Sequence, residues 1–221
     1  MDADILFDLD GTLIDSSPGI LASFGRILAA DGLRPAVPLE ASLIGPPLMV
    51  TLRQVSGLAD EARLARLAEA FKQDYDSAGC LATEMFPGVA AGLAQLAAAG
   101  ARLFIVTNKR MVPTRRILEA LGLAQCFAGI HTRDETEPPA ASKAAVTKRL
   151  VAHYGIDPPR ACFVGDSDED AAAARENGLA FIHAAYGYGT AGIEAGGRRL
   201  ARFEDLPGLV ERLENSLDYF P

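Results

Sequence analysis

The stretch Asp8-Leu9-Asp10-Gly11-Thr12 sets two carboxylates two residues apart, followed by a glycine and a hydroxyl. Further along stand Thr107-Asn108-Lys109, then Lys143, then Gly165-Asp166-Ser167-Asp168-Glu169-Asp170. Singly, each has an ordinary structural use. An acid pair before a glycine makes turns, a Thr-Asn pair caps a helix, and a lysine is commonly solvated. Gathered on one edge, they would crowd several carboxylates beside two lysines and a few hydroxyl and amide donors. So many acids do not all stay ionised without a cation, and a small set of hard oxygen ligands suits Mg²⁺, which keeps waters and shares a substrate phosphate. Phosphoryl transfer needs this equipment: a positioned nucleophile, a metal and cations to neutralise the moving group, and a proton donor for the leaving oxygen. An aspartate serves as nucleophile by forming an acyl phosphate.

The elements around these residues decide whether they meet. Five short apolar runs, at 5–7, 103–106, 129–131, 162–164 and 181–183, read as buried strands. Helical patterns alternate with them at 89–99, 112–121, 143–154 and 170–177, and a closing helix is expected around Leu209 to Leu213. Strands alternating with helices imply βαβ units and a parallel sheet covered on both faces, in which ligands collect at the carboxyl ends of the strands. Asp8 and Asp10 follow the first strand, Thr107 and Asn108 the second, and Gly165 and Asp166 the fourth. Lys143 opens the helix leading into that fourth strand.

Residues 16–83 break the alternation. They contain no convincing strand, only amphipathic helical patterns at 20–30, 48–55 and 61–75, the last with Leu64, Leu67, Ala68 and Phe71 at helical spacing. The chain is therefore expected to form an α/β core from 1–15 and 84–221, with an inserted all-helical cap of 16–83 over the carboxyl edge of the sheet. The Gly45-Pro46-Pro47 turn and Arg53 are expected to read the substrate.

Composition agrees with a folded chain: 49% of its 221 residues are hydrophobic and 23% are charged. The net charge of −8 argues against a nucleic-acid partner, which needs a clustered basic surface. A small phosphorylated metabolite remains compatible, its charge met locally. Cys80, Cys126 and Cys162 are odd in number and lack zinc-ligand spacing, so they read as reduced thiols. The acidic Met1-Asp2-Ala3-Asp4 start is no secretory signal, and the apolar stretch 89–106 is broken by Gly92, Gln95, Gly100 and Arg102, so no membrane span is expected. A cytoplasmic monomer or homodimer is the expectation.

These motifs resemble, from end to end, those of the haloacid dehalogenase superfamily of phosphatases. The 8–12 stretch is similar to the first motif, Thr107-Asn108 to the second, Lys143 to the third, and Gly165-Asp166 with Asp170 to the fourth. Phe86-Pro87-Gly88-Val89 resembles the segment by which such chains re-enter the core after a cap. The resemblance implies a Rossmann-like core, Asp8 as nucleophile, and Asp10 as general acid and then base. It implies phosphate binding by Thr107, Asn108 and Lys143. It also implies Mg²⁺ held by the side chains of Asp8 and Asp166 and the backbone carbonyl of Asp10, supported by Gly11, Gly165 and Asp170. Lys143 lacks the proline that often follows the third-motif lysine, and Lys148 competes with it. Lys143 is favoured because it stands at the helix start. The acid at position 10 favours ester hydrolysis over dehalogenation or phosphonate cleavage.

Two other readings compete. Gly187-Tyr188-Gly189-Thr190-Ala191-Gly192 fits a dinucleotide-binding pattern, but it follows the last strand instead of opening a first βα unit. It reads as a flexible turn and resembles a loop of phosphoglycolate-phosphatase-like relatives. A receiver domain phosphorylated on aspartate also uses acids and a lysine, but it has no large helical insert after its first strand. The expected function is hydrolysis of a small phosphate monoester, phosphoglycolate-like by resemblance of the segments 44–48 and 107–109. A 5′-nucleotidase, a pyrophosphatase and a sugar-phosphate mutase are alternatives, and from another class a non-catalytic phosphate-binding regulator.

Overall fold

The computed structural model describes residues 3–189 and 198–217. The chain runs through β1 (Asp4–Phe7), β2 (Ile14–Asp15), α1 (Ser17–Ala30), α2 (Leu48–Ser56), α3 (Glu61–Ser77), β3 (Glu84–Met85), α4 (Val89–Ala98), β4 (Arg102–Thr107) and α5 (Met111–Ala120). It continues through β5 (Gly129–Thr132), α6 (Lys143–Tyr154), β6 (Ala161–Gly165), α7 (Asp168–Glu176), β7 (Ala180–Ala184), β8 (Arg198–Leu200) and α8 (Leu206–Leu217).

Six strands form one parallel sheet in the order β5-β4-β1-β6-β7-β8. Alternation along the strands sends side chains to two apolar layers. Ile5, Phe7, Leu103, Ile105 and Val164 join Val89 and Leu93 of α4, Ile117 of α5 and Leu206 of α8 on one face. Leu6, Phe104, Val106 and Phe163 meet Val146 and Leu150 of α6 and Ala173 and Ala174 of α7 on the other. Both faces are thus covered, and β1 stands where the strand order reverses between β4 and β6. Ligands of open α/β sheets bind at the carboxyl ends beside such a reversal.

The segment between β2 and β3 is helical, as its 3.6-residue periodicity requires. Asp60 caps α3 by accepting hydrogen bonds from the backbone N–H groups of Ala62 and Arg63, at 2.9 and 3.1 Å. Its apolar side chains, Phe24, Leu52, Leu64 and Phe71 among them, belong to the same continuous cluster as the α4–α5–α8 face of the sheet. Two elements depart from the sequence expectation. The antiparallel pair β2–β3 joins Ile14 to Met85 and Asp15 to Glu84, where the chain leaves and re-enters the α/β layer. At two residues each, these strands are too short for any periodicity. The edge strand β8, Arg198-Arg199-Leu200, lacks the apolar run by which a strand is recognised.

Candidate active site

Asp8 follows β1, and its backbone N–H extends the ladder by donating to Val164 O at 2.9 Å. The chain then turns sharply through Gly11, whose φ of 81° lies in the left-handed region that glycine tolerates best. A Cβ there would sit 2.4 Å from Asp166 Oδ2, so the turn can lie against that carboxylate only as glycine. Gly165 allows a similar approach, because its Cβ would meet Asp170 Cβ at 2.4 Å. After β6, Ser167 caps α7 in a capping box with Asp170, which buries the Asp170 carboxylate beneath the site.

Asp8, Asp166 and Asp170 each place one carboxylate oxygen within 4.8 Å of the others, all three side chains being buried. Lys143, 2% exposed at the start of α6, reaches into this group. Its Nζ lies 2.5 Å from Asp170 Oδ1 and 3.0 Å from Asp8 Oδ1. Lys148 is exposed on the same helix. Burial pushes the Asp8 carboxyl well above its usual range, the Lys143 charge opposes this, and the charges of Asp170, Asp166 and Asp10 add to it. Burial and then Asp170 raise Asp166 as well. For Lys143 burial acts downward, yet Asp170 and Asp8 outweigh it and keep the ammonium protonated. One buried cation is shared among three crowded acids, so the cluster is short of positive charge.

The donor set fits a hard divalent cation. Asp170 is fully engaged, Oδ1 with Lys143 and Oδ2 accepting from Ser167 N at 3.0 Å and Ser167 Oγ at 2.6 Å. Asp8 Oδ1 is within ion-pair distance of Lys143 but outside hydrogen-bonding geometry, which leaves it a buried oxygen with no hydrogen-bond partner. Among the described residues, Asp166 Oδ1 has only a long contact from Thr12 Oγ1 at 3.3 Å. The Asp10 carbonyl accepts no hydrogen bond among the described residues. Asp8, Asp166 and that carbonyl therefore keep lone pairs that could hold such a cation, while Asp170 anchors the lysine.

Asp10 has different company. Lys109 Nζ lies 3.0 Å from its Oδ1, and Ser16 Oγ donates to the same oxygen. Lys109 also donates to the Tyr75 hydroxyl of α3 at 2.8 Å. Burial would lower the Lys109 pKa, but Asp10 and Tyr75 raise it. Thr107, buried at the end of β4, accepts from the Lys109 N–H at 3.2 Å. Asn108 reaches the cleft, but its side-chain NH₂ donates to Glu169 Oε2 at 2.7 Å and Gly45 O at 3.2 Å. In this arrangement it bridges the helical segment to α7, and its amide donors are not free for a phosphate.

The loop after β7 is a part of the site that the sequence reading missed. Read as a flexible turn, Tyr186 to Gly189 instead packs tightly on the acids. Asp166 Oδ2 accepts from the Tyr188 and Gly189 N–H groups at 2.9 and 3.0 Å. A Cβ on Gly187 would meet Gly11 O at 2.2 Å, and one on Gly189 would meet Asp166 O at 2.0 Å. The Tyr186 hydroxyl donates to Thr12 O at 2.8 Å, and that of Tyr188 to Asp15 Oδ1 at 2.7 Å. The glycine spacing was the available signal. It serves close backbone approach to a carboxylate, and the remainder of that pattern, 190–192, lies outside the described residues.

Above the acids opens a cleft of about 870 Å³, counting the solvent at its mouth, lined by Asp8, Asp10, Thr107, Lys143 and Asp166 below. Gly45 and Pro46 line it from the helical segment. Arg53, expected to read the substrate, instead pairs with Glu61 at 2.5 Å on an exposed surface and does not line the cleft. No helix among the described residues is long and apolar enough to cross a membrane.

The chain is similar to several known proteins. The tyrosine-protein kinase PtkA of Mycobacterium tuberculosis is 36% identical over 188 residues, 85% of this chain and 63% of that protein. A structure of that kinase superposes with a TM-score of 0.80 at 31% identity, over 94% of this chain and 97% of that one. The phosphoglycolate phosphatase of Rhodospirillum rubrum is 33% identical over 225 aligned positions, covering 95% of this chain and 90% of that protein. A haloacid dehalogenase-like family hydrolase from Streptococcus pneumoniae shares the fold, with a TM-score of 0.82 over 94% of this chain and 98% of that one. Residues 5–184 match the model of the haloacid dehalogenase-like hydrolases, and the chain belongs to that family.

Proposed function

We propose that this chain is a Mg²⁺-dependent phosphatase that hydrolyses small phosphate monoesters through an aspartyl phosphate on Asp8. The observation that carries the reading is the buried Asp8 Oδ1, which has no hydrogen-bond partner among the described residues, lies 3.0 Å from Lys143 Nζ and borders the cleft. The one ammonium near it is shared with Asp170, so that carboxylate is short of positive charge, which a bound cation would supply. Mg²⁺ held by Asp8, Asp166 and the Asp10 carbonyl would neutralise phosphoryl charge and let Asp8 ionise despite its neighbours.

Asp8 attacks phosphorus, the ester oxygen leaves with the proton of Asp10, and the phosphoryl group stays on Asp8 as an acyl phosphate. Asp10 then takes a proton from water as that water attacks phosphorus, which returns free Asp8 and inorganic phosphate. Lys143 and Thr107, which line the cleft, would bind the phosphoryl oxygens. Residues 16–83 would act as a cap over the 1–15 and 84–221 core, excluding water and choosing the leaving group. Relatives called phosphoglycolate phosphatase support a small-ester substrate. The kinase name of another relative belongs to a longer protein of which this chain covers 63%.

The test is hydrolysis of a panel of phosphate monoesters with Mg²⁺ and with excess chelator. Turnover that vanishes in chelator and returns with Mg²⁺ is expected. An undiminished rate in chelator, or no turnover of any ester, would contradict the reading, and the second result would favour a phosphate-binding regulator.

A further inference from the structure

The helical segment meets the cleft with apolar side chains: Ile20, Phe24, Leu43, Ile44, Leu48 and Phe71 all line it. The polar side chains it brings there, Thr51 and Tyr75, are each tied to a neighbour. Thr51 Oγ1 donates to Leu43 O at 3.3 Å, Gly45 O accepts from Asn108 at 3.2 Å, and the Tyr75 hydroxyl accepts from Lys109 at 2.8 Å. The cations on this side are also engaged. Lys109 is held by Asp10, and Arg110 grips Asp76 through two contacts of 2.8 and 2.5 Å. Phe24, Phe71 and Tyr75 form one stack from α1 to α3, with ring centroids 4.6 and 5.3 Å apart.

From this lining we infer that the leaving group this cleft accepts is uncharged and aromatic, so that arylmethyl or aryl phosphates are better substrates than phosphorylated carboxylic acids or sugars. The inference rests on the phosphatase reading and adds the substrate class. The phosphoryl end of any substrate meets Lys143 and the metal site. A carboxylate at the other end would be desolvated against hydrocarbon or would have to break the Lys109–Asp10 or Arg110–Asp76 pair, and either is costly. Sugar hydroxyls would lose water without gaining partners. An aromatic ring loses nothing polar on entry and gains area and ring contacts along the stack.

The test compares kcat/KM for benzyl phosphate, phosphoglycolate and ribose 5-phosphate, all esters of primary alcohols, so that leaving-group chemistry differs little. Benzyl phosphate is expected to exceed each of the others by about tenfold or more, the usual worth of a fitted apolar contact. Phe71→Ala should lower kcat/KM for benzyl phosphate about tenfold more than it lowers kcat/KM for phosphoglycolate. Because Phe71 is buried, the half-buried Ile44 provides a second variant. Ile44→Arg should raise kcat/KM for phosphoglycolate relative to benzyl phosphate. Phosphoglycolate or ribose 5-phosphate equal to or better than benzyl phosphate in the wild type would overturn the inference and leave the phosphatase reading intact. No turnover of any ester and no phosphoenzyme from acetyl phosphate would overturn both.

Discussion

Lys143 Nζ and Asp170 Oδ1 lie 2.5 Å apart at the floor of the site, both side chains closed off from solvent. Removing one partner of such a pair leaves a buried charge, whereas replacing both with apolar groups of similar size often costs little. Lys143→Met and Asp170→Leu should each lose about 3–5 kcal/mol of stability in urea unfolding. The double variant should lose less than the sum of the two, though not recover fully because Asp8 and Ser167 also lose partners, and remain inactive. A double variant as unstable as the sum of the singles would show that the pair does not interact as described.

The acids above that pair set the pH dependence of the metal-free protein. Asp8 and Asp166 have folded-state pKa values above the ordinary carboxylate value, so the folded state holds their protons more tightly. Their contribution is favourable below the unfolded pKa and is lost as pH rises through the raised folded values. Chelated protein should therefore lose Tm as pH rises above the ordinary carboxylate range, by this contribution, and Mg²⁺ should raise Tm more at pH 7.5 than at pH 5. Equal Mg²⁺ shifts at both values would contradict the cluster as the ion's site.

Gly187→Ala tests the loop after β7. The added methyl would fall 2.2 Å from Gly11 O and 2.4 Å from Asp166 Cβ, so the loop must retreat and the N–H donors on Asp166 go with it. The activity is expected to fall by at least about tenfold, with a weakened Mg²⁺ dependence, since supporting groups of a metal site are commonly worth 10–100-fold. Wild-type activity and Mg²⁺ affinity in this variant would mean that the loop has no part in the site.

Arg53→Ala should leave the ratios of kcat/KM among esters within about twofold, because an exposed pair such as Arg53–Glu61 contributes little and does not touch the cleft. A changed ester ratio would mean that Arg53 swings into the cleft when substrate binds.

Much of this molecule was legible because its strands are continuous apolar runs ended by polar clusters. The runs at 103–106 and 162–164 became β4 and β6 with one residue added at each end. Helix α6 matched its expected bounds because Ser142 caps it and Gly155 ends it. Helix α1 begins three residues before its apolar pattern, since Ser17-Pro18-Gly19 reads locally as a turn while proline in the first helical turn is compatible with a helix. Which side chains converge was harder to read. The bond from Lys109 to Tyr75 joins residues 34 apart through the fold of the insert, and the grip of Tyr188 on Asp15 spans 173. Neither spacing leaves a local pattern. Asn108 beside Thr107 pointed to phosphate, and only the approach of Glu169 and Gly45 reveals its bridging role.

The central claim is that Asp8 carries the phosphoryl group while Asp10 moves the proton, and intact-protein mass spectrometry after rapid quench tests it most directly. With acetyl phosphate, whose leaving group needs no proton, wild-type and Asp10→Asn proteins should both gain one phosphoryl mass located on Asp8, and the Asp10→Asn adduct should persist. Ester turnover in Asp10→Asn should fall by about 10²–10⁴, the usual worth of a general acid–base. Asp8→Asn should gain no mass at all. A phosphoryl adduct on Asp8→Asn, or one mapped to Thr12 or Ser16 in the wild type, would contradict the account.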